Sequence, residues 1–431
     1  GGALGFNTIL GGVDAHITNT RTALIEAMSN HRSDERVVVD YTQGDLLAGD
    51  LQSQIASLEV GAAALRRLAG RYGAEGMVEA GARILDMSEA AMRSAIARMP
   101  DGTYEFEDFL DDDGVDLGKP IRLHVALTVA GDAITVDLSG CSPQAKGPVN
   151  ATLASSNAAV MFAVMCACDE PFAPNAGCYR PIRTVAPEGT VVNARHPAPV
   201  AHRIAATHRL LNAMFGALHQ VVPDRIPAAY YGNSYVCTFQ TVAEDGGRDV
   251  LVEIEIGGSG GHPAKDGVNA FASGMHNNSN IPVEMIESQT PLTVTRYGLL
   301  ADSAGAGRHR GGLGLVREWR VDSPECFFTA NMDRFVHAPY GLAGGLPASV
   351  GRLLLVDPVG GLADDHGQLA FKVECVRVEP GHLGVVVRAD QRFRVLDEQG
   401  GRIRPLVAHL RNVLGVVQPD TDDLAGPRDH G

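Results

Sequence analysis

The sequence has little positive charge, no long apolar run and no recognisable leader. Its 36 Lys and Arg against 51 Asp and Glu give a net charge of −15. This balance argues against a nucleic-acid partner, because phosphate binding needs a basic surface. No apolar run approaches the roughly 18 residues of a membrane-spanning helix. The chain begins at Gly1 without the charged and apolar segments of a signal peptide, so we expect a cytoplasmic protein.

Cysteine is scarce and follows neither a metal nor a disulfide pattern. The 7 cysteines are odd in number and include no CxxC pair, so neither a disulfide framework nor a zinc ribbon is expected. Cys166 and Cys168 form a CxC pair inside an apolar stretch, which favours buried core thiols.

Phosphate-binding loops are also missing from the sequence. No GxxxxGK[ST] pattern occurs, and GAGRHRG at 305–311 only approaches GxGxxG, without a convincing helix after it. Its three basic residues form either an anion site or a solvated turn. GGSGG at 257–261 has the spacing of a serine nucleophile elbow, but Pro263 and Gly267 disfavour the helix that such an elbow requires.

Apolar periodicity predicts helices near the start of the chain. Apolar residues at spacings of four and three predict a helix that begins at Asp50 as its N-cap and ends at Gly73. Two further helices are predicted at 77–86 and 89–98. An additional short helix is predicted at 21–28.

Strand signals begin after residue 120. Alternation from Ile121 to Leu138, with a turn at Gly131, predicts a hairpin with one buried face. Helices are predicted at 155–168 and 202–221, and a strand at 250–256. After Leu313 the pattern is mostly strands, with one late helix at 404–414. The fold class is therefore α+β and multi-domain, with a helical segment near the start, mixed sheets and a β-rich C-terminal part.

The same patterns suggest domain boundaries. We predict an ambiguous N-terminal edge at 1–48, a helical segment plus hairpin domain at 49–200, a glycine-rich domain at 201–345 and a β-rich region at 346–431. Between 257 and 314 polar residues and apolar anchors alternate with glycines, unlike a disordered linker. This segment is predicted to be ordered, irregular backbone of the kind that forms binding and catalytic loops.

Metal signals in the chain are weak. His262 and Asp266 are four residues apart and His276 follows, but loop residues have no fixed geometry. The run Asp111–Gly114 does not meet the EF-hand pattern and is interpreted as an acidic turn. No metal ligand is assigned in this chain.

Several long segments, in a constant order, carry a family resemblance. They include GDLQSQIASLEVGA (49–62), PDGTYEFEDFLDDDG (100–114), VDLSGCSPQAKGPVNA (136–151), the block GGSGGHPAKDGVNA that begins at 257, and MDRFVHAPYGLAGG (332–345). Over about residues 49–345 the chain resembles the B-subunit family of N-methylhydantoinases, which also includes 5-oxoprolinases and the large subunits of acetone and acetophenone carboxylases.

This resemblance implies a subunit of an ATP-dependent cyclic-amide hydrolase of the hydantoinase or 5-oxoprolinase type. It implies a hydantoinase A-type partner that handles ATP, a hetero-oligomer, a small cyclic amide as substrate and a divalent metal. The family's metal ligands end near an HxxDxGG element, which would finish about where Gly1 stands, so we expect them to be missing from this chain. The alternatives are the large subunit of an ATP-dependent ketone carboxylase and a catalytically incomplete scaffold subunit.

Candidate site residues come from the glycine-rich block. His262, Asp266 and Asp302 are the catalytic candidates, for proton transfer or orientation. Arg308, Arg310 and Asn278 are candidates for binding the substrate or an anionic intermediate.

Overall fold

A computed structural model describes residues 44–169, 174–242, 248–323, 325–356, 362–365, 376–378 and 384–387 of the chain. The helices are α1 Gly44–Tyr72, α2 Ala74–Ile96, α3 Leu153–Ala167, α4 Ala176–Tyr179, α5 Ile204–Val221 and α6 Val283–Gln289. The first strands are β1 Gly102–Leu110, β2 Ile121–Ala130, β3 Ala133–Asp137, β4 Ile182–Val185, β5 Tyr235–Val242, β6 Arg248–Glu255 and β7 Leu292–Leu299. The remaining strands are β8 Leu315–Val321, β9 Glu325–Asn331, β10 Leu353–Val356, β11 Leu362–Asp365, β12 Val376–Val378 and β13 Gly384–Val387.

The first sheet has the order β1-β2-β3-β4. Its first two pairs are antiparallel, and β4 joins β3 in parallel after the crossover through α3 and α4. Helix α5 packs on β1 and β2 and contacts α3. Because its residues 205–218 are all buried, this helix forms the centre of the first hydrophobic core.

The other two sheets share a second core. Their orders are β12-β9-β5-β6 and β11-β10-β13-β8-β7. Phe239 on β5 lies with its ring centroid 4.8 Å from that of Phe328 and 5.3 Å from that of Trp319 on β8. Side chains from both sheets therefore interdigitate, and the ends of β6 and β8 emerge from this core.

Several predicted elements are confirmed. The α+β class is confirmed, and the hairpin of β2 and β3 has its turn at Gly131, whose φ of 61° suits glycine. Helix α1 ends before Gly73, as predicted, and Gly73 has φ 73°. The helices at 155–168 and 202–221 are found within two residues of their predicted ends.

Other predictions are wrong. Helix α1 begins six residues before Asp50, which lies in its interior and is no N-cap. Helix α2 is continuous where two helices were predicted, because nothing near Met87 breaks it. The segment 257–314 is not irregular throughout, since it contains α6 and β7.

The cysteine prediction is wrong for Cys166, which is exposed, while Cys168 is half-buried. Cys166 follows exposed Phe162 by four residues and so lies on the outward face of α3. The predicted helices at 21–28 and 404–414 lie outside the described residues. The domain boundaries stay a prediction.

Candidate active site

A cavity of about 480 Å³ lies where the ends of β6 and β8 leave the second core. Four segments wall it: 219–235 from the end of α5 to the start of β5, 257–263 after β6, 303–314 before β8, and 339–351 after β9. A volume of this size suits a small ligand.

Glycines let these segments approach backbone to backbone. A Cβ on Gly258 would lie 1.9 Å from the carbonyl oxygen of Gly312, and one on Gly260 would lie 1.8 Å from that of Ala228. Such contacts are impossible, so a side chain at either position would push the walls apart. The glycine-rich composition is therefore a packing requirement of this cavity and not a sign of flexibility.

Backbone hydrogen bonds fix the segments to one another. The amide of Gly312 donates to the Ser259 carbonyl at 2.8 Å, and the amide of Ser259 donates to Val268 at 3.0 Å. The amide of Leu346 donates to Ala306 at 2.8 Å. The Ser259 hydroxyl accepts from the Val268 amide at 2.7 Å, which gives this serine a role in holding the loop. The walls are therefore preorganised.

Two of the predicted site residues line the cavity. His262 is half-buried, and burial first, then the Lys265 ammonium, lowers the pKa of its imidazole. Arg308 is exposed at the cavity, with His309 beside it. A neutral imidazole and an exposed guanidinium suit proton transfer and anion binding respectively.

Asp266 and Arg310 support this wall without lining it. An Asp266 carboxylate oxygen accepts from the Arg310 amide at 3.1 Å and lies 3.8 Å from Nδ1 of His309. The Arg310 guanidinium donates to Oδ1 of Asn269 at 3.1 Å. The two residues thus hold the basic turn 308–310 against the loop that carries His262.

Asp302 and Asn278 are not among the residues that line the cavity in the described part of the chain. Asp302 is exposed and has φ 58°, beside Ser303, which lines the cavity. The Asn278 amide lies 3.5 Å from Nδ1 of His276. Their roles stay a prediction.

His276 belongs to a cluster of aromatic and imidazole side chains. Its Nε2 is 2.8 Å from the Ser234 hydroxyl, and its ring centroid is 4.2 Å from that of His208 on α5. His208 Nδ1 is 2.5 Å from the hydroxyl of Tyr230. Burial lowers the pKa of both imidazoles, and in His208 the second cause is His276. Both rings are therefore neutral at pH 7.

Sequence reasoning missed the ionisable residues at the strand ends. Glu255 ends β6 and Arg317 lies near the start of β8; both line the cavity and are at most 1% exposed. Arg317 forms ion pairs with Glu253 and with Glu255, the latter at 3.3 Å. Alternation gave no signal for Glu255, because in VEIEI the apolar Val252 and Ile254 are the residues expected to face inward. In LVREWRV, Arg317 shares its strand face with Trp319, and this is a signal that could have placed it inward.

A second buried charge network holds the segment 333–345 against β1. Arg334 pairs with Asp108, and Arg209 on α5 pairs with Asp333 and, at 3.6 Å, with Asp108. Burial raises the pKa of Asp108 to about 6 and that of Asp333 to about 7, against the opposing effect of Arg209. Since Arg334 also lines the cavity, this network positions one of its walls.

The predicted acidic turn joins β1 to β2 and is structural. The Asp111 carboxylate accepts from the amides of Phe335 and His337 at 2.6 and 2.8 Å and from the His337 ring at 2.8 Å. Asp113 accepts from the Gly147 amide at 2.9 Å. No cluster of three or more His, Cys, Asp or Glu in the described ranges has the geometry of a metal site.

The fold and the site together define the class: an α+β protein with a cavity walled by preorganised glycine loops. More narrowly, the chain belongs to the hydantoinase B/oxoprolinase family, whose sequence profile matches residues 13–401. No helix in the described part of the chain is long and apolar enough to cross a membrane.

Similar proteins agree with this assignment. A protein of Pseudomonas sp. strain NS671, described as the B-type subunit of a D-/L-hydantoinase, is 34% identical over 324 residues, which cover 72% of this chain and 54% of that protein. This chain thus spans about half the length of that relative. The crystal structure of the ATP-dependent caprolactamase of Pseudomonas jessenii superposes with a TM-score of 0.70 and 26% identity, over 86% of this chain and 64% of that chain. A nucleotide-free acetone carboxylase shares the fold, with a TM-score of 0.67 and 16% identity, over 78% of this chain and 51% of that one.

Proposed function

We propose that this chain is the B-type subunit of a cytoplasmic, ATP-dependent cyclic-amide hydrolase and works with an A-type subunit that handles ATP. The observation that carries the proposal is the preorganised cavity with His262 and Arg308 in its wall. The subunit name of the hydantoinase relative and the ATP dependence of the caprolactamase neighbour support the reaction class and a hetero-oligomer.

In this proposal the cavity binds the activated ring amide. The Arg308 guanidinium neutralises negative charge that develops on the substrate, because a charge-assisted hydrogen bond is stronger than a neutral one. His262, neutral at pH 7, takes a proton from the attacking water. Asp266 acts as a positioning residue through Arg310 and His309.

A divalent metal is expected for the family, but the described residues do not fit one. No suitable cluster of three ligands is present among them. Asp302 and Asn278 remain candidates for orienting groups beside the cavity.

Co-expression with the A-type subunit tests the proposal. The purified complex should open a hydantoin, 5-oxoproline or a lactam with stoichiometric release of ADP and phosphate, and neither subunit should do so alone. Consumption of bicarbonate with a ketone would favour a carboxylase instead. A complex that assembles but turns over neither substrate class would favour the scaffold alternative.

A further inference from the structure

A group of three buried charges lies between the second core and the cavity. It consists of Glu253 and Glu255 on β6 and Arg317 on β8, all at most 1% exposed. Both carboxylates pair with the same guanidinium nitrogen, Nη1 of Arg317. The Arg317 guanidinium also stacks on the ring of Tyr297, with its central carbon 4.7 Å from the ring centroid.

The pairing leaves several polar atoms of the group unsatisfied. Within the described residues, Oε1 of Glu253, Oε2 of Glu255 and the Nε and Nη2 atoms of Arg317 have no hydrogen-bond partner. A buried polar atom without a partner costs roughly 1–3 kcal/mol. The group therefore favours a ligand that brings both a donor and an acceptor.

The unsatisfied pair borders the cavity. Both Glu255 and Arg317 line the cavity, whereas Glu253, two residues earlier on β6, is not among the lining residues in the described part of the chain. The chain beyond each strand end carries a glycine, Gly257 after β6 and Gly314 before β8. These positions add no side chain between the pair and the cavity, and exclusion of water strengthens a hydrogen bond formed there.

A cyclic secondary amide has the matching pattern. A small ring forces its amide bond to be cis, so the N–H and the C=O lie on the same edge. A carboxylate and a guanidinium side by side offer an acceptor and a donor to that edge. A ketone offers only the acceptor, and an N-alkylated lactam has lost the donor.

We propose that Glu255 and Arg317 recognise the cis-amide edge of the ring substrate. Oε2 of Glu255 accepts the ring N–H, and the free side of the Arg317 guanidinium donates to the ring carbonyl. This recognition rests on the proposed function and names its substrate class, cyclic amides that keep an N–H. Glu253 is the positioning residue that holds Arg317.

The pKa of the Glu255 carboxyl supports this arrangement. Burial raises the pKa of Glu255 to about 7, Arg317 opposes the shift and Glu253 adds to it. The acceptor form of Glu255 therefore increases as the pH rises through 7. We expect binding of the N–H amide to strengthen over the same range.

A pair of small lactams tests the proposal on the full chain. Calorimetry should show that 2-pyrrolidone binds about 100-fold more tightly than N-methyl-2-pyrrolidone, because a site built to bond an N–H rejects its methylated analogue. Equal binding of both, or binding of neither, would overturn the inference. The same comparison of kcat/KM in the complex with the A-type subunit should show the same preference.

A variant separates recognition from folding. Glu255→Leu removes the acceptor but leaves Arg317 paired with Glu253, so 2-pyrrolidone should bind no better than its methyl analogue, whose affinity stays as in the wild type. A loss of affinity for both lactams would indicate a structural role and contradict the proposal. The matched control is Glu318→Leu, which removes a half-buried carboxylate of β8 that pairs with Arg296 at 3.3 Å. This variant should keep the wild-type preference.

The two proposals fail in distinguishable ways. If the complex opens both lactams at equal rates, the hydrolase function stands and the recognition by Glu255 and Arg317 is wrong. If the complex opens no cyclic amide, the function is wrong, and calorimetry on the chain still decides whether the pair selects an N–H.

Discussion

Arg334 donates two hydrogen bonds to the carboxylate of Asp108, from Nη2 to Oδ2 at 2.9 Å and from Nη1 to Oδ1 at 3.2 Å. The two residues are 226 positions apart, and both are almost fully buried. Arg334 also donates to the carbonyls of His337 and Ala338 at 3.1 and 3.3 Å. One guanidinium thus joins strand β1 to the segment that forms a wall of the cavity.

Breaking the pair of Arg334 and Asp108 should lower the free energy of unfolding of the protein. Asp108→Asn removes the negative charge that the buried guanidinium groups of Arg334 and Arg209 share. Removing one partner of a buried pair costs about 3–5 kcal/mol. Urea denaturation at pH 8 measures the loss. The control is Glu107→Gln on the same strand, which breaks an exposed pair with Arg122 at 2.6 Å and should cost less than about 1 kcal/mol. Equal losses in the two variants would contradict the role of the buried pair.

The cavity walls should not tolerate a side chain at Gly258. In Gly258→Ala the new Cβ would lie 1.9 Å from the Gly312 carbonyl oxygen, so the loops must separate. We expect a loss of about 1–3 kcal/mol and of lactam binding. Gly81→Ala in α2 is the control, because its Cβ meets nothing within 4 Å, and a helix gains up to about 1 kcal/mol from this change. Thermal unfolding and calorimetry compare them; a neutral Gly258→Ala would refute the packing argument.

Arg308→Ala should weaken catalysis without weakening the fold. The exposed Arg308 side chain takes no part in the hydrogen bonds that fix the cavity walls. Losing its charged hydrogen bond to the substrate, worth about 1.5–3 kcal/mol, lowers kcat/KM by roughly 10- to 100-fold. Steady-state kinetics of the complex with the A-type subunit measures this. Arg296→Ala on β7, an exposed arginine paired with Glu318, should leave kcat/KM unchanged. A normal rate in Arg308→Ala would remove this residue from the site.

The sequence predicted local elements better than long-range pairings. The hairpin of β2 and β3 follows from alternation over adjacent residues and a glycine turn, and the structure reproduces it. Strand β5 alternates just as regularly in burial but was not predicted, although its partners β6 and β9 were. The continuous helix α2 shows that exposed polar residues near Met87 do not end a helix without glycine or proline.

The same limit applies to the candidate site. The glycine block was visible because its residues are contiguous, and the structure places His262 and Arg308 in the cavity wall. Glu255 and Arg317 were missed because they are 62 residues apart and meet only after two sheets have packed. Local motifs therefore predicted which loops form the cavity wall. The buried ion pair of Glu255 and Arg317 beside the cavity could be recognised only from the tertiary structure.

The histidines around α5 should make stability depend on pH. Burial lowers the pKa of His202 from 6.5 to about 4 and also lowers those of His208 and His276. As the pH falls through 6.5, these imidazoles bind protons in the unfolded chain but stay neutral in the folded chain. Each histidine therefore removes up to about 1.4 kcal/mol of unfolding free energy per pH unit, until the pH reaches its folded pKa. The histidine contribution is thus full above pH 6.5 and falls towards pH 4, while the raised pKa values of Asp108, Asp333 and Glu255 act in the opposite sense over the same range.

Urea denaturation at pH 7, 6 and 5 measures this loss. Between pH 7 and 5, His202→Gln should lose less unfolding free energy than the wild type, because one of the three buried imidazoles is gone. The exposed His196→Gln should leave it unchanged, since that ring stays in solvent in both states. If His202→Gln and wild type show the same slope between pH 7 and 5, the buried imidazole is protonated in the folded chain, and the burial of His202 does not control the acid stability of this fold.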